Sequence, residues 1–269
     1  MSLLTRASAV LRRHGPVLFV RRVAREISRR SSLGLRRVAT GGKDFVLSDY
    51  GVKLIPNWSD STFQLYVIGG YGTFFSDFLA TRTADFAFVD IGANQGLYSI
   101  LAARNPHCLG VAAFEPSSAT ADLMSRNVTL NEASQIEVHR FAVAAKEGTE
   151  QLTTFPGHSG KASLNPTKDG FSVPETETIR TVSAQGIDAR IPDAPSYIVK
   201  VDVEGLEDVV LREFAKTLAV HRTSHIFYEV DEDWVSSDKL EEILRASGFT
   251  RFERVGKDPI HYDVLAIRD

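Results

Sequence analysis

The stretch Val89-Asp90-Ile91-Gly92-Ala93-Asn94-Gln95-Gly96 constrains this chain more than any other. It joins a short apolar run at 86–89 to a helix-patterned segment near 95–104. A buried strand, a glycine-bearing turn and a helix, in that order, open a layered α/β sheet. The rhythm continues downstream. Strands are expected at 109–114, 136–143, 197–203 and 224–230, with helices near 117–130, 206–218 and 237–247. Gly248 stands where a helix C-terminus wants a left-handed residue. Two last strands near 250–255 and 261–267 finish the sheet. Strand–helix–strand spacing of this kind implies mostly parallel pairing, with helices on both faces and a late antiparallel strand.

Two regions depart from the rhythm. Residues 144–195 are rich in Gly, Pro, Thr and Ser, and are expected to hold extra strands and a mobile loop at 155–165. Ahead of the sheet, residues 44–55 alternate as a hairpin turning at Asp49-Tyr50-Gly51. Residues 59–82 read as two helical pieces broken at the glycines of 69–72. The expected division is an arm at 1–40, an extension at 41–84 and a catalytic domain at 85–269.

Charge separates the arm from the rest. Residues 1–40 hold ten Arg, no Lys and the single acid Glu26, a balance of +9. The chain totals −3, so the remaining residues carry −12. Leu3, Val10, Val17 and Ala24 recur every seven residues beside those arginines. The pattern suits a helix lying on an anionic membrane, a helix packed on the domain, or a transit peptide. No apolar run approaches the ~20 residues that span a bilayer. With the single cysteine Cys108 there is no intramolecular disulfide, and a reducing, cytoplasmic setting fits. Nucleic acid is not an expected partner.

The glycine turn suits either a pyrophosphate or the methionine carboxylate of S-adenosylmethionine, because both use the free N–H groups of a helix start. Two residues favour the second. A dinucleotide fingerprint wants glycine where Asn94 stands, and an acid, Asp90, ends the strand where a methionine ammonium would be attracted. Glu115 ends the next strand, 25 residues after Asp90, placed to accept hydrogen bonds from ribose hydroxyls. Asp90, Gly92, Ala93, Asn94, Gly96 and Glu115, with Ala142 near the end of the third strand, form the expected cofactor set. A nicotinamide-dependent oxidoreductase and a non-catalytic binding protein are the competing readings.

The chain resembles the FkbM family of methyltransferases. The resemblance rests on VDIGANQGLYSILAA at 89–103, AFEPSS at 113–118, NVTLN at 127–131 and KVDVEGLEDVVL at 200–211, with Phe227-Tyr228-Glu229 similar to the family's acid-ended fifth strand. Gly72 stands where many relatives carry a glutamate, and Gly186-Ile187-Asp188 follows the usual Leu-Asp ending only loosely. The resemblance implies a Rossmann-like class I methyltransferase fold. It also implies methyl transfer from S-adenosylmethionine to a hydroxyl of a glycan, glycolipid or natural product.

An alcohol oxygen needs a base or a metal to lose its proton. Lys200 and Asp202 share one face of the fourth strand, and Glu204 follows just beyond its end. These three, with His158 in the irregular loop, are the catalytic candidates; His261 is a further histidine near the last strand. Asp202, Glu204 and Glu229 would make an oxygen-rich Mg²⁺ site, a metal that the sequence allows without demanding it. Phe155, Tyr228 and Trp234 are candidates for stacking on an adenine or a sugar.

Overall fold

A computed structural model describes residues 31–164 and 173–269. The arm's apolar stripe at residues 3–24 and the end of the loop at 165 lie outside the described residues. The chain divides into two units, Met1–Val46 and Leu47–Asp269. In the first, residues 31–39 are helical. The second holds everything described below, so the residues from 47 to 84, expected as a separate extension, belong to the same compact unit as the sheet.

The turn expected at Asp49-Tyr50-Gly51 is present. The Ser48 N–H donates to the Val52 carbonyl at 2.9 Å and the Gly51 N–H to the Ser48 carbonyl at 2.8 Å. Two short helices follow, α1 (Ser61–Val67) and α2 (Phe74–Ala80). Asp60 caps α1, its carboxylate accepting from the Phe63 N–H at 2.8 Å.

The central sheet uses β1 (Phe86–Ile91), β2 (Cys108–Phe114) and β3 (Ile136–His139), with α3 (Leu97–Ala103) and α4 (Ser118–Leu130) between them. The chain then makes a small second sheet from β4 (Ala142–Val143), β5 (Gly148–Thr154) and β6 (Glu175–Val182), followed by α5 (Ala184–Asp188). The single strand expected at 136–143 is thus two strands in different sheets. The break falls at Arg140-Phe141, where the Phe141 N–H turns back onto the His139 carbonyl at 3.0 Å. The main sheet resumes with β7 (Tyr197–Val201), α6 (Glu207–Phe214), β8 (Thr223–Asp231), α7 (Ser237–Ala246), β9 (Arg251–Val255) and β10 (His261–Ile267).

Strand order in the main sheet is β9-β10-β8-β7-β1-β2-β3. The five strands from β8 to β3 are parallel, and β10 runs antiparallel to both β8 and β9. Every residue of β1 and of β7 is buried, as the central strands of a sheet covered on both faces require. One face presents Val89, Val199, Ile226 and Tyr228 to the core that includes Val210, Leu211 and Phe214 of α6 and Leu240 and Leu244 of α7. On the other face α2 and α3 meet the sheet through aromatic side chains. Phe75 stacks on Phe227 with centroids 4.1 Å apart and meets the Tyr98 ring edge-on at 5.2 Å. Helix α7 ends as expected: Gly248 is left-handed at φ +94°, and the Phe249 N–H reaches back to the Leu244 carbonyl at 3.0 Å. Among the described residues, no helix is long and apolar enough to cross a membrane.

Candidate active site

The chain leaves β1 for β2 on one side and later returns to β7 on the other. That divergence makes the crevice above the carboxyl ends of β1 and β7 the place where open α/β sheets bind ligands. Gly92 leaves β1 at φ +80°, and a Cβ built there would lie 1.8 Å from the Asp202 carbonyl oxygen. The glycine is required by the approach of two strand ends. Gly96, also left-handed, makes room for the Met124 side chain, whose Cγ would be 2.9 Å from a Cβ. The turn glycines, expected to admit a ligand, first admit neighbouring parts of the protein.

Between them, Asn94 is left-handed at φ +51°, a conformation that asparagine tolerates better than most residues. Its N–H donates to Glu115 Oε2 at 3.0 Å, and the Ser117 N–H donates to Oε1 at 2.9 Å. Burial pushes the Glu115 carboxyl up to about 7, against the pull of these two N–H groups. Glu115 therefore stands fixed at the end of β2, holding the turn from below.

A cleft of about 840 Å³, including its open mouth, runs from Glu115 to Glu229. Gly92, Asn94, Glu115 and Ala142 line it, as do Asp202 and Glu204. Ile91, Phe114, Phe141 and Leu152 give it apolar walls. Thr62 and Tyr66 of α1, with Tyr71, close it from the segment preceding the sheet. Among the described residues lining it there are four carboxylates, Glu115, Asp202, Glu204 and Glu229, and no Lys, Arg or His. A pyrophosphate would meet carboxyl groups and no cationic side chain in this described lining. A cationic ligand with a hydroxyl-bearing sugar meets the reverse.

Several expected residues sit elsewhere. Asp90 is 1% exposed and does not line the cleft. Its Oδ2 accepts from the Ser99 hydroxyl at 2.6 Å, and Lys200 Nζ lies 3.7 Å from its Oδ1. Asp90 thus anchors Lys200 and α3 beneath the cleft, rather than bordering it directly. Ala93 and Gly96 are likewise absent from the lining, the Ala93 N–H being taken by the Phe114 carbonyl at 3.1 Å. His158 is also outside the cleft, its Nδ1 2.9 Å from the Ser61 hydroxyl. Phe155 and Tyr228 are buried in the core, and Trp234 packs over Gly205.

The loop expected to be mobile is clasped. Asp60 accepts from the Ser159 N–H at 2.7 Å, the Ser159 hydroxyl at 3.1 Å and Gln95 Nε2 at 2.9 Å. The Gly160 N–H donates to Thr62 Oγ1 at 3.0 Å, and the Ser163 hydroxyl to the Glu204 carbonyl at 2.7 Å. Asp60, the cap of α1, thus makes a second set of bonds to Ser159, about a hundred positions away.

At the far end, Lys200 Nζ lies 3.1 Å from Asp202 Oδ2, confirming that these side chains share a face. Coulombic attraction from Asp202 and Asp90 overcomes the cost of burial and holds the Lys200 ammonium above its ordinary range. Glu204 is left-handed at φ +53°, strained for a residue that is neither Gly nor Asn. Burial, then the charges of Glu229, Asp202 and Glu207, push its carboxyl up to about 9. His261 Nε2 lies 3.0 Å from Glu229 Oε1, and that bond draws the imidazole up to about 9. Asp202, Glu204 and Glu229 each offer an oxygen within 4.8 Å of the others, a set that a hard cation would accept. Two of the three already have cationic partners, so the arrangement does not require a metal.

Residues 90–251, more than half of the chain, match the methyltransferase FkbM domain. A 129-residue segment is 36% identical to methyltransferase sdnD of Sordaria araneosa, covering 47% of each chain. A 144-residue segment is 26% identical to methyltransferase 1 of Beauveria bassiana, covering 48% of this chain and 58% of that one. The chain spans about half the length of these curated relatives. Among solved structures, the METTL16 methyltransferase domain aligns with a TM-score of 0.49 at 13% identity, covering 82% of this chain and 74% of that one. The chain belongs to the FkbM methyltransferase family, and its architecture is the Rossmann-like class I methyltransferase fold.

Proposed function

We propose that this FkbM-family methyltransferase moves a methyl group from S-adenosylmethionine to a hydroxyl oxygen of a glycan, glycolipid or natural product. The observation that carries the reading is the cleft at the β1–β7 crevice, whose described lining holds four carboxylates and no cationic side chain. That donor set fits S-adenosylmethionine. Glu115 has the position to receive ribose hydroxyls, and the acids at the far end suit a sulfonium. When bound, S-adenosylmethionine supplies an electrophilic methyl group whose transfer leaves a neutral thioether.

The chain's own residues supply orientation and proton removal. Asp202 borders the cleft, its side chain about 37% exposed and steadied by Lys200. It is the group assigned to accept the hydroxyl proton as the oxygen–carbon bond forms. Glu204, with its carboxyl near 9, carries a proton at neutral pH until a cation arrives beside it. Its role is to answer the cofactor's charge. A metal held by Asp202, Glu204 and Glu229 is the alternative means of activating the hydroxyl.

Asp202→Asn keeps the shape and removes the base. It is expected to bind S-adenosylmethionine within about threefold of wild type while turnover falls on the order of 10²–10⁴-fold. Calorimetry and transfer of labelled methyl to cell-extract acceptors measure the two. Wild-type turnover in this variant would place the base elsewhere. Inhibition of the wild type by a chelator, reversed by Mg²⁺, would favour the metal.

A further inference from the structure

A second cleft of about 820 Å³ adjoins the first. The two share Tyr71, Asp202 and Glu229, so the occupants of both would border the same three side chains. Its far wall is the turn between β9 and β10 together with His261 and Asp263.

Sheet register explains its chemistry. Lys200 of β7 pairs with Phe227 of β8, and Val201 with Tyr228, which puts Asp202 level with Glu229. Glu229 in turn pairs directly with Asp263 of β10. Three carboxylates therefore stand side by side on one face, on adjacent strands about 4.8 Å apart. Like charges directly opposite each other in a sheet are destabilising. Lys200 answers Asp202 and His261 answers Glu229. Among the described residues the Asp263 side chain has no ion-pair partner. Burial, with Asp202 and Glu229 beside it, pushes its carboxyl up to about 7.

The wall as a whole carries both signs. Asp202, Glu229, Asp258 and Asp263 share it with Lys200, Lys257 and His261. A bare anion or cation entering would meet a like charge at close range. Neutral hydroxyls, which both donate and accept, match such a wall at every point. Phe227, buried against Phe75, also lines the cleft.

We infer that this second cleft is the acceptor site, and that it selects a neutral polyhydroxylated acceptor, a further hydroxyl of which donates to Asp263. The inference rests on the reading of the first cleft as the cofactor site. With one hydroxyl at Asp202, the base, a hydroxyl further round the ring reaches the Asp263 end of the carboxylate row. Acceptors whose nearby substituent is a phosphate or carboxylate are excluded by the same row.

The test uses the full chain saturated with S-adenosylhomocysteine and three matched probes: methyl glucoside, glucuronic acid and glucosamine. Saturation-transfer NMR reads their binding, and calorimetry reads S-adenosylhomocysteine. Methyl glucoside is expected to bind best. Asp263→Asn is expected to weaken it about tenfold, the loss of one hydrogen bond to a charged group, with S-adenosylhomocysteine affinity unchanged. Removing the crowded carboxylate should also raise the melting temperature of the apo protein above pH 7, which shows the variant to be folded. Glucuronic acid or glucosamine binding as well as the neutral sugar would overturn the inference, as would no sugar binding or an unaltered variant. Failure of S-adenosylhomocysteine to bind wild type would instead overturn the cofactor reading.

Discussion

The two clefts share three side chains and differ in almost everything else. The first is apolar along its sides and holds carboxylates with no cationic side chain among its described lining. The second mixes carboxylates with Lys200, Lys257 and His261. A wall of one sign selects for net charge, while a wall of mixed sign selects for groups that donate and accept. On the proposed function, the contrast matches a sulfonium to one side and a hydroxyl to the other without reference to shape.

The harshest way to break this contrast is to disturb the point where the halves touch. Gly92→Ala puts a Cβ onto the Asp202 carbonyl oxygen, in a left-handed conformation. Overpacking and backbone strain together are expected to cost about 3 kcal/mol or more. For a unit of this size that lowers the melting temperature by roughly 10 °C. A melting temperature within two degrees of wild type would mean that the strand ends part easily, and that the clefts are not coupled through this contact.

A milder perturbation sharpens the contrast by titration. Carboxyls pushed up to about 7 at Glu115 and about 9 at Glu204 keep their protons further into the alkaline range than in an unfolded chain. Their stabilising contribution is complete below the unfolded value and is lost as pH rises through the folded one, so the apo protein should melt at lower temperature at pH 9 than at pH 6. A cation favours the ionised form, and its binding expels protons. Affinity for S-adenosylmethionine should therefore rise roughly tenfold from pH 6 to 9, while neutral S-adenosylhomocysteine, with the same amino acid tail, rises far less. Calorimetry in buffers of different ionisation enthalpy counts the protons. Parallel curves for the two ligands would remove the electrostatic distinction between the clefts.

The smallest expected effect is at His158. It is bonded to Ser61 and lies outside the first cleft. His158→Ala should leave turnover within about twofold, as for a substitution away from the chemistry. A hundredfold loss would bring the loop back into the mechanism.

What could be read from sequence follows the same division. The cofactor side is built mainly from contiguous runs, so the strand, the turn and Glu115 were legible together. Fold class was legible because β1 and β7 are short, apolar and spaced by helices. The acceptor side gathers Tyr71, Asp202, Glu229, His261 and Asp263, which meet only through strand order. Asp263 carried one faint signal, a charge inside an otherwise apolar strand. The direction of Asp90 was not legible, because a strand end offers two faces and only the packing of Lys200 and Ser99 decides between them. The loop at 155–164 reads as mobile from its glycines. Its clasp by Asp60 depends on a helix cap far away in the chain.

The turn between β9 and β10 has a further consequence. It contributes Gly256, Lys257 and Asp258 to the second cleft and nothing to the first. Surface turns accept insertions and exchanges that strands do not. A lineage built on this scaffold can therefore retarget itself by rewriting one short segment while the cofactor apparatus is inherited intact. Diversity of acceptors within such a lineage would be recorded in the length and composition of residues 256–260.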